Sequence, residues 1–210
     1  MKLGELLRGL EGITLVRGAD IEVTGIAYDS RRVERGDLFV AVKGFRTDGH
    51  RYLGQALERG AAALVVSGDW EGGADLAPGT ALVRAADTRF ALAALSDRYY
   101  GHPSGKLALV GVTGTNGKTT TAHLVAAAAE HSGRACGLVG TVSYRVAGRE
   151  VPASRTTPES ADLQAMLAEM VEAGCEVVSM EVSSHALSLR RVDGCEFAVA
   201  VFTNLSQDHL

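Results

Sequence analysis

The sequence predicts an α/β protein. A small mixed α/β N-terminal domain is expected over 1–101, a linker at 102–106, and an incomplete, doubly wound, mostly parallel sheet domain of the phosphate-loop type over 107–210. Three observations carry this. Near-continuous apolar runs such as "LALVGV" alternate with segments of helical period, as in a parallel sheet covered on both faces. "HPSGK" brings Pro, Ser and Gly together where the texture of the chain changes. "GVTGTNGKTTT", from Gly111 to Thr121, joins an apolar run to a helix through a glycine-rich turn.

The elements follow in order. "MKLGELLRGLEG" reads as a short amphipathic helix, since its acidic residues and lack of a long apolar core make it a poor leader. "DIEVTGIAYDS" alternates like a strand, and "GDLFVAVKG" is a short apolar run between glycines. "GHRYLGQALERG" is a helix closed by Gly60, followed by strands in "AALVVSG" and "TALVRAAD". "TRFALAALSDRYYG" is a helix capped near Asp87 or Thr88 and stopped at Gly101. After the linker come the strand "LALVGV", the helix "TTTAHLVAAAAEHSG", and a strand and hairpin in "RACGLVGTVSYRV" and "GREV". Leu163, Met166, Leu167, Met170 and Val171 recur at helical spacing, with Thr157 placed as cap and Pro158 in the first helical position. "EVVSMEV" and "FAVAVFTNL" read as two more buried strands. The chain stops just as a new element begins, so a fragment of a longer protein is expected.

Composition narrows the function classes. A net charge of −4 gives no general nucleic-acid surface, so an anionic ligand must be held by local donors. No apolar run reaches the roughly 18–20 residues of a membrane span. Cys136, Cys175 and Cys195 are far apart and odd in number, which fits buried free thiols in a cytoplasmic protein better than a disulfide framework or a metal pair.

The glycine-rich turn has the chemistry of a phosphate loop. Gly114 and Gly117, with Thr115 and Asn116 between them, let the backbone wrap so that N–H groups face phosphate oxygens, and the helix start adds partial positive charge. Lys118 can reach β- and γ-phosphates, and Thr119 can place its hydroxyl on Mg²⁺. The strict G-x-x-x-x-G-K-[ST] pattern is not met: Val112 occupies the first glycine position. Glu181, at the end of the apolar strand in "MEVSSHAL", lies where open α/β sheets collect ligands, and a carboxylate there suits Mg²⁺. It could instead pair with a lysine or cap a helix. Arg155, Arg190 and Arg191 offer positive charge or a plain solvated turn, and His209 alone reads as a solvated loop residue.

Taken together, "GTNGKTTT", "TTPE", "MEVSSHAL" and "FTNLSQDHL" resemble, in that order, the Mur ligase family of peptidoglycan synthesis. "DSRRVERGDLFVAVKG" and "DGHRYLGQALERGAAALVV" resemble the substrate-binding domain of members that add the third and later peptide residues, and "EVSSHAL" favours the MurE type, which adds the third. The similarity runs over nearly the whole chain. It implies an ATP-dependent ligase that phosphorylates the D-glutamate carboxylate of UDP-N-acetylmuramoyl-L-alanyl-D-glutamate, after which a diamino acid (meso-diaminopimelate or L-lysine) attacks the acyl phosphate.

By that resemblance Gly114, Thr115, Asn116, Gly117, Lys118, Thr119 and Thr120 bind ATP, and Thr119, Glu181 and His209 hold Mg²⁺. Lys118, Glu181 and His209 are then the catalytic group. Tyr28 and Ser30 contact the uridine portion, with Phe45, Arg46 and Thr47 lining its pocket, while Thr156, Thr157, Ser183 and Arg191 hold the muramoyl dipeptide. A cytoplasmic monomer without nucleic-acid or membrane partners is expected. The family's third domain and its often carbamylated central lysine fall outside these residues, so the chain alone is not expected to complete ligation. A folylpolyglutamate-type synthetase, the ligase that adds the terminal dipeptide, and a nucleotide-binding module without ligation stay open.

Overall fold

The computed structural model describes residues 1–44, 47–72, 76, 79–146 and 148–206, and divides into two compact units, Met1–Tyr99 and Tyr100–Leu210.

The first unit contains α1 (Leu3–Leu7), β1 (Ile13–Arg17), β2 (Ile26–Ala27), β3 (Leu38–Val40), α2 (Leu53–Glu58), β4 (Ala63–Ser67), β5 (Ala81–Ala85) and α3 (Thr88–Tyr99). Its sheet has the order β1-β5-β4-β3-β2, parallel except where β1 runs antiparallel to β5. Phe39, Leu64 and Val66 from the strands pack with Val33, Leu53 and Ala56. Asp87 caps α3, its Oδ1 accepting the N–H groups of Arg89 at 2.8 Å and Phe90 at 3.2 Å.

Two elements differ from expectation here. The strand foreseen over 20–30 shrinks to Ile26–Ala27. Its flanks bond elsewhere, Val23 N–H to Met1 O at 2.8 Å and Thr24 N–H to Gly36 O at 3.1 Å, so no ladder extends through them. β1 was not expected: only Ile13 of its five residues is buried, which leaves little apolar alternation to read.

In the second unit, the stretch expected as a linker forms a 3-10 turn at Pro103–Lys106, with Pro103 and Ser104 buried. There follow β6 (Ala108–Thr113), α4 (Lys118–His131), β7 (Cys136–Val139), β8 (Ser143–Val146), β9 (Arg149–Pro152), α5 (Ser160–Glu172), β10 (Val177–Glu181), α6 (Ser184–Ser188) and β11 (Val199–Phe202). The strand order is β11-β6-β10-β7-β8-β9. The first four are parallel, and the β8–β9 hairpin is antiparallel.

Both faces of this sheet are covered, which makes it doubly wound. Leu109, Val139, Val178 and Met180 pack with Leu163, Leu167 and Met170 of α5. Val112 and Leu138 pack with Ala122 and Ala126 of α4. The neighbours Leu138 and Val139 go to opposite clusters, as the two-residue period of a strand requires.

Two further expectations are corrected. β11, read as a buried strand, lies at the sheet edge with Val199 51% and Phe202 63% exposed. An all-apolar run reports only that a strand is built for burial, not which strand of the sheet it becomes. The three cysteines are free, but each is half-buried rather than buried.

Candidate functional site

β6 ends at Thr113, the chain turns through Gly114–Gly117, and α4 opens at Lys118. Gly117 occupies the cap position with φ +85°, a left-handed conformation that residues with a Cβ resist. A Cβ on Gly114 would run into the Thr203 hydroxyl and lie 2.8 Å from Asn204 O. The segment after β11 is therefore laced onto the loop. Thr203 Oγ1 donates to Asn116 O at 2.7 Å. Asn204 O accepts the Thr115 N–H at 3.0 Å, Asn204 Oδ1 accepts the Asn116 N–H at 3.1 Å, and Ser206 N–H donates to Thr115 Oγ1 at 2.9 Å.

This lacing changes which loop donors serve an anion. The N–H groups of Thr115 and Asn116 are spent on Asn204, leaving those that open α4, where a helix has no internal acceptors. Lys118 Nζ donates to Gly114 O at 2.7 Å and Thr115 O at 2.9 Å, and an ammonium carries a third donor. Thr120 is exposed in the first turn of α4 and is not among the residues lining the adjacent cavity. Thr203, Asn204 and Ser206 were absent from the residues singled out by sequence, although "FTNLSQDHL" was their signal.

Glu181 closes β10 and is 1% exposed. Its Oε2 accepts the hydroxyl of Thr119 at 2.8 Å, and its Oε1 accepts the Thr141 N–H at 2.8 Å. Thr141 Oγ1 lies a further 3.2 Å from Oε2. Sequence reasoning missed Thr141, which follows β7 with no motif to mark it. The carboxylate and the Thr119 hydroxyl form an all-oxygen pair, which fits Mg²⁺, a cation that takes oxygen ligands and keeps several waters. Among the described residues no group of three or more His, Cys, Asp or Glu gathers. His209 lies outside them.

Thr157 is not the cap of α5. That helix starts at Ser160 with Glu159 in the cap position. Thr157 is instead fully buried, its Oγ1 donating to Glu181 O at 2.9 Å and accepting the Ser183 N–H at 3.2 Å. Ser183 caps the unforeseen α6, its Oγ accepting the Ala186 N–H at 3.1 Å. Arg191 is no solvated turn residue: it donates to Thr157 O at 3.0 Å and pairs with Glu159 at 2.8 Å, and Glu159 also takes Arg155 at 2.6 Å. Arg190, at φ +56°, pairs with Asp193 at 2.9 Å instead.

The result is one cavity of about 950 Å³ in the second unit, lined by Lys118, Thr119, Thr141, Thr156, Glu181 and Ser183 among others. Thr157 and Arg191 are not in its lining and brace the residues that are. In the first unit, Ser30 is buried and donates to Gln55 Oε1 at 2.6 Å, Tyr28 is half-buried, and the hydroxyls of Thr47 and Tyr52 lie 3.1 Å apart. Phe45 and Arg46 lie outside the described residues.

Comparison with known proteins identifies the family of both halves of the sequence. Residues 22–100 match the model of the Mur ligase family catalytic domain, and residues 112–210 that of the Mur ligase middle domain. Over its whole length the chain is 48% identical to a UDP-N-acetylmuramoyl-L-alanyl-D-glutamate--2,6-diaminopimelate ligase of Geobacillus thermodenitrificans, covering 42% of that protein. It is 44% identical to the protein of the same name from Clostridium perfringens, covering 43% of it. The chain thus spans less than half the length of the curated relatives it matches. A solved structure of a ligase of that name superimposes with a TM-score of 0.78 at 28% identity, over 100% of this chain and 41% of the other. A MurF ligase from Thermotoga maritima, solved in complex with ADP, shares the fold with a TM-score of 0.55 at 23% identity over 87% of this chain and 38% of the other. Models of one family account for both halves of the sequence, and the phosphate loop and Glu181 fall inside its middle domain: the chain belongs to the Mur ligase family.

Proposed function

We propose that this chain supplies the nucleotide-binding and UDP-substrate-binding parts of an ATP-dependent ligase that adds meso-diaminopimelate to UDP-N-acetylmuramoyl-L-alanyl-D-glutamate. The observation that carries the reading is the shared cavity: the phosphate-loop residues Lys118 and Thr119 face it together with Thr156 and Ser183, with Glu181 joined to Thr119 at 2.8 Å. The names of the relatives support diaminopimelate as the incoming amine.

The chemistry follows from charge. A D-glutamate carboxylate attacks the γ-phosphorus, ADP departs with the bridging oxygen, and the amine then displaces phosphate from the acyl phosphate to leave an amide. Nucleophile and electrophile are both anionic, so the protein's work is positioning and neutralisation. The N–H groups opening α4 and the third Lys118 donor take phosphate oxygens. Thr119 and Glu181 would hold Mg²⁺, which supplies charge neutralisation at the β- and γ-phosphates. Ser183 and Thr156 present hydroxyls to the muramoyl dipeptide, while Arg191, tied to Thr157 and Glu159, fixes the turn that carries Thr156. Tyr28, Ser30 and Thr47 serve the uridine part.

Calorimetric titration with Mg²⁺·ATP and with UDP-N-acetylmuramoyl-L-alanyl-D-glutamate tests the proposal. Both are expected to bind, and Lys118→Ala is expected to weaken ATP about 100-fold, since a charge-assisted hydrogen bond contributes roughly 1.5–3 kcal/mol. ATP binding without any affinity for the UDP-dipeptide would reduce the chain to a nucleotide-binding module, and preference for a folate would move it to the folylpolyglutamate type.

A further inference from the structure

Thr141 has three contacts and one hydroxyl proton. Its backbone N–H holds Glu181 Oε1 at 2.8 Å. Its hydroxyl can donate to Glu181 Oε2 at 3.2 Å or to Thr156 Oγ1 at 3.1 Å, but one proton makes one good hydrogen bond at a time. The two acceptors belong to different segments of the cavity lining. Glu181 Oε2 also accepts Thr119 of the phosphate loop, whereas Thr156 stands at the turn before α5.

We infer that Thr141 is a positioning residue whose hydroxyl couples nucleotide binding to binding of the acidic peptide substrate. The inference rests on the function proposed above. A cation at Glu181 Oε2 competes with the Thr141 proton for that oxygen. The Thr141 hydroxyl then rotates to donate to Thr156 Oγ1. A Thr156 hydroxyl that accepts from Thr141 must turn its own proton away from it, into the cavity, where it can meet a carboxylate or amide oxygen of the muramoyl dipeptide. Metal–nucleotide on one side thus prepares a donor on the other, and by linkage the peptide substrate strengthens the metal–nucleotide by the same factor. The backbone N–H of Thr141 keeps Glu181 in place throughout, so the side chain is free to alternate.

The test is the ratio of two dissociation constants for UDP-N-acetylmuramoyl-L-alanyl-D-glutamate, without and with saturating Mg²⁺ and the non-hydrolysable ATP analogue AMP-PNP, measured by calorimetry on the full chain. In the unaltered protein the analogue is expected to tighten the substrate at least about fivefold, the lower end of ordinary couplings. Thr141→Val keeps the shape and the backbone N–H at an exposed position. It should bring the ratio to within about twofold of unity, and Thr141→Ser should restore it. A purely structural role would not separate Val from Ser in this ratio while leaving the analogue's own affinity in place. A Val variant that keeps the full ratio, a Ser variant that does not recover it, or a ratio of one in the unaltered protein overturns the inference and leaves the proposed function standing. Absence of any UDP-dipeptide binding to the unaltered protein removes the proposed function, and this inference with it.

Discussion

Gly140 lies so close to the carboxylate of Glu181 that a Cβ at this position would sit 2.7 Å from Oε1. The close approach is what lets the next residue, Thr141, present its N–H to the same oxygen at 2.8 Å. Gly140→Ala is therefore expected to displace the carboxylate from its hydroxyl and amide partners. Overpacking of this kind costs about 1–3 kcal/mol of folding stability. Urea denaturation should show that loss, and titration should show Mg²⁺-dependent ATP binding weakened well beyond what the stability change explains.

Thr157 provides a second check, because its role is set by burial rather than by helix capping. Thr157→Val would leave Glu181 O and the Ser183 N–H without the partner they share. The stranded, buried Glu181 O costs about 1–3 kcal/mol, and the cavity-facing Ser183 N–H adds less, so a loss of about 1–3 kcal/mol is expected in chemical denaturation. Thr157→Ser keeps the hydroxyl and should stay within about 1 kcal/mol of the unaltered protein, the cost of a methyl group.

Asn204 is exposed and remote in sequence from the loop it shapes, yet its side chain bonds the N–H of Asn116 at 3.1 Å and the carbonyl at 3.0 Å. Asn204→Ala should weaken ATP by up to about thirtyfold, in line with roughly 1 kcal/mol for each of the two hydrogen bonds. The melting temperature should move little. Unaltered ATP affinity would show that the loop keeps its form without this fastening.

Asp37 makes a prediction about pH. Burial holds its carboxyl above the usual carboxylate range, against the opposing effect of the Glu34 N–H that donates to it at 2.9 Å. The folded state then binds this proton more tightly than the unfolded state, so stability from this group falls as pH rises from about 4 through the folded value. Asp37→Asn removes that dependence. Its melting temperature relative to the unaltered protein should climb between pH 4 and pH 7, and a difference independent of pH would contradict the assignment.

The sequence carried the second unit further than the first, for physical reasons. The apolar strands β6 and β10 and the helical repeat of Leu163, Leu167 and Met170 are long-period signals that burial on both faces makes strong. β1 and the stretch around Asp20 to Gly25 lie at edges or in loop-type bonding, where composition says little. At the cavity, Lys118, Thr119 and Glu181 were legible because each sits at a strand end or helix start with a chemical motif. Thr141 and Asn204 were not, because their importance comes from neighbours far along the chain. The mistaken cap at Thr157 has the same origin: a Thr-Pro pair before a helix satisfies the local rule, and only the tertiary fold shows its hydroxyl turned to Glu181 and Ser183 instead.

Because Asn204 fastens a loop whose Asn116 lies 88 residues earlier, order of synthesis matters. A ribosome exposes the glycine turn long before the segment that fixes its path, since chains emerge and fold from the N-terminus. A half-made polypeptide therefore has the phosphate-binding residues without their final geometry, and its grip on nucleotide should arrive late, with the emergence of Thr203 and Asn204. The binding loop matures only after β11 has been laid beside β6.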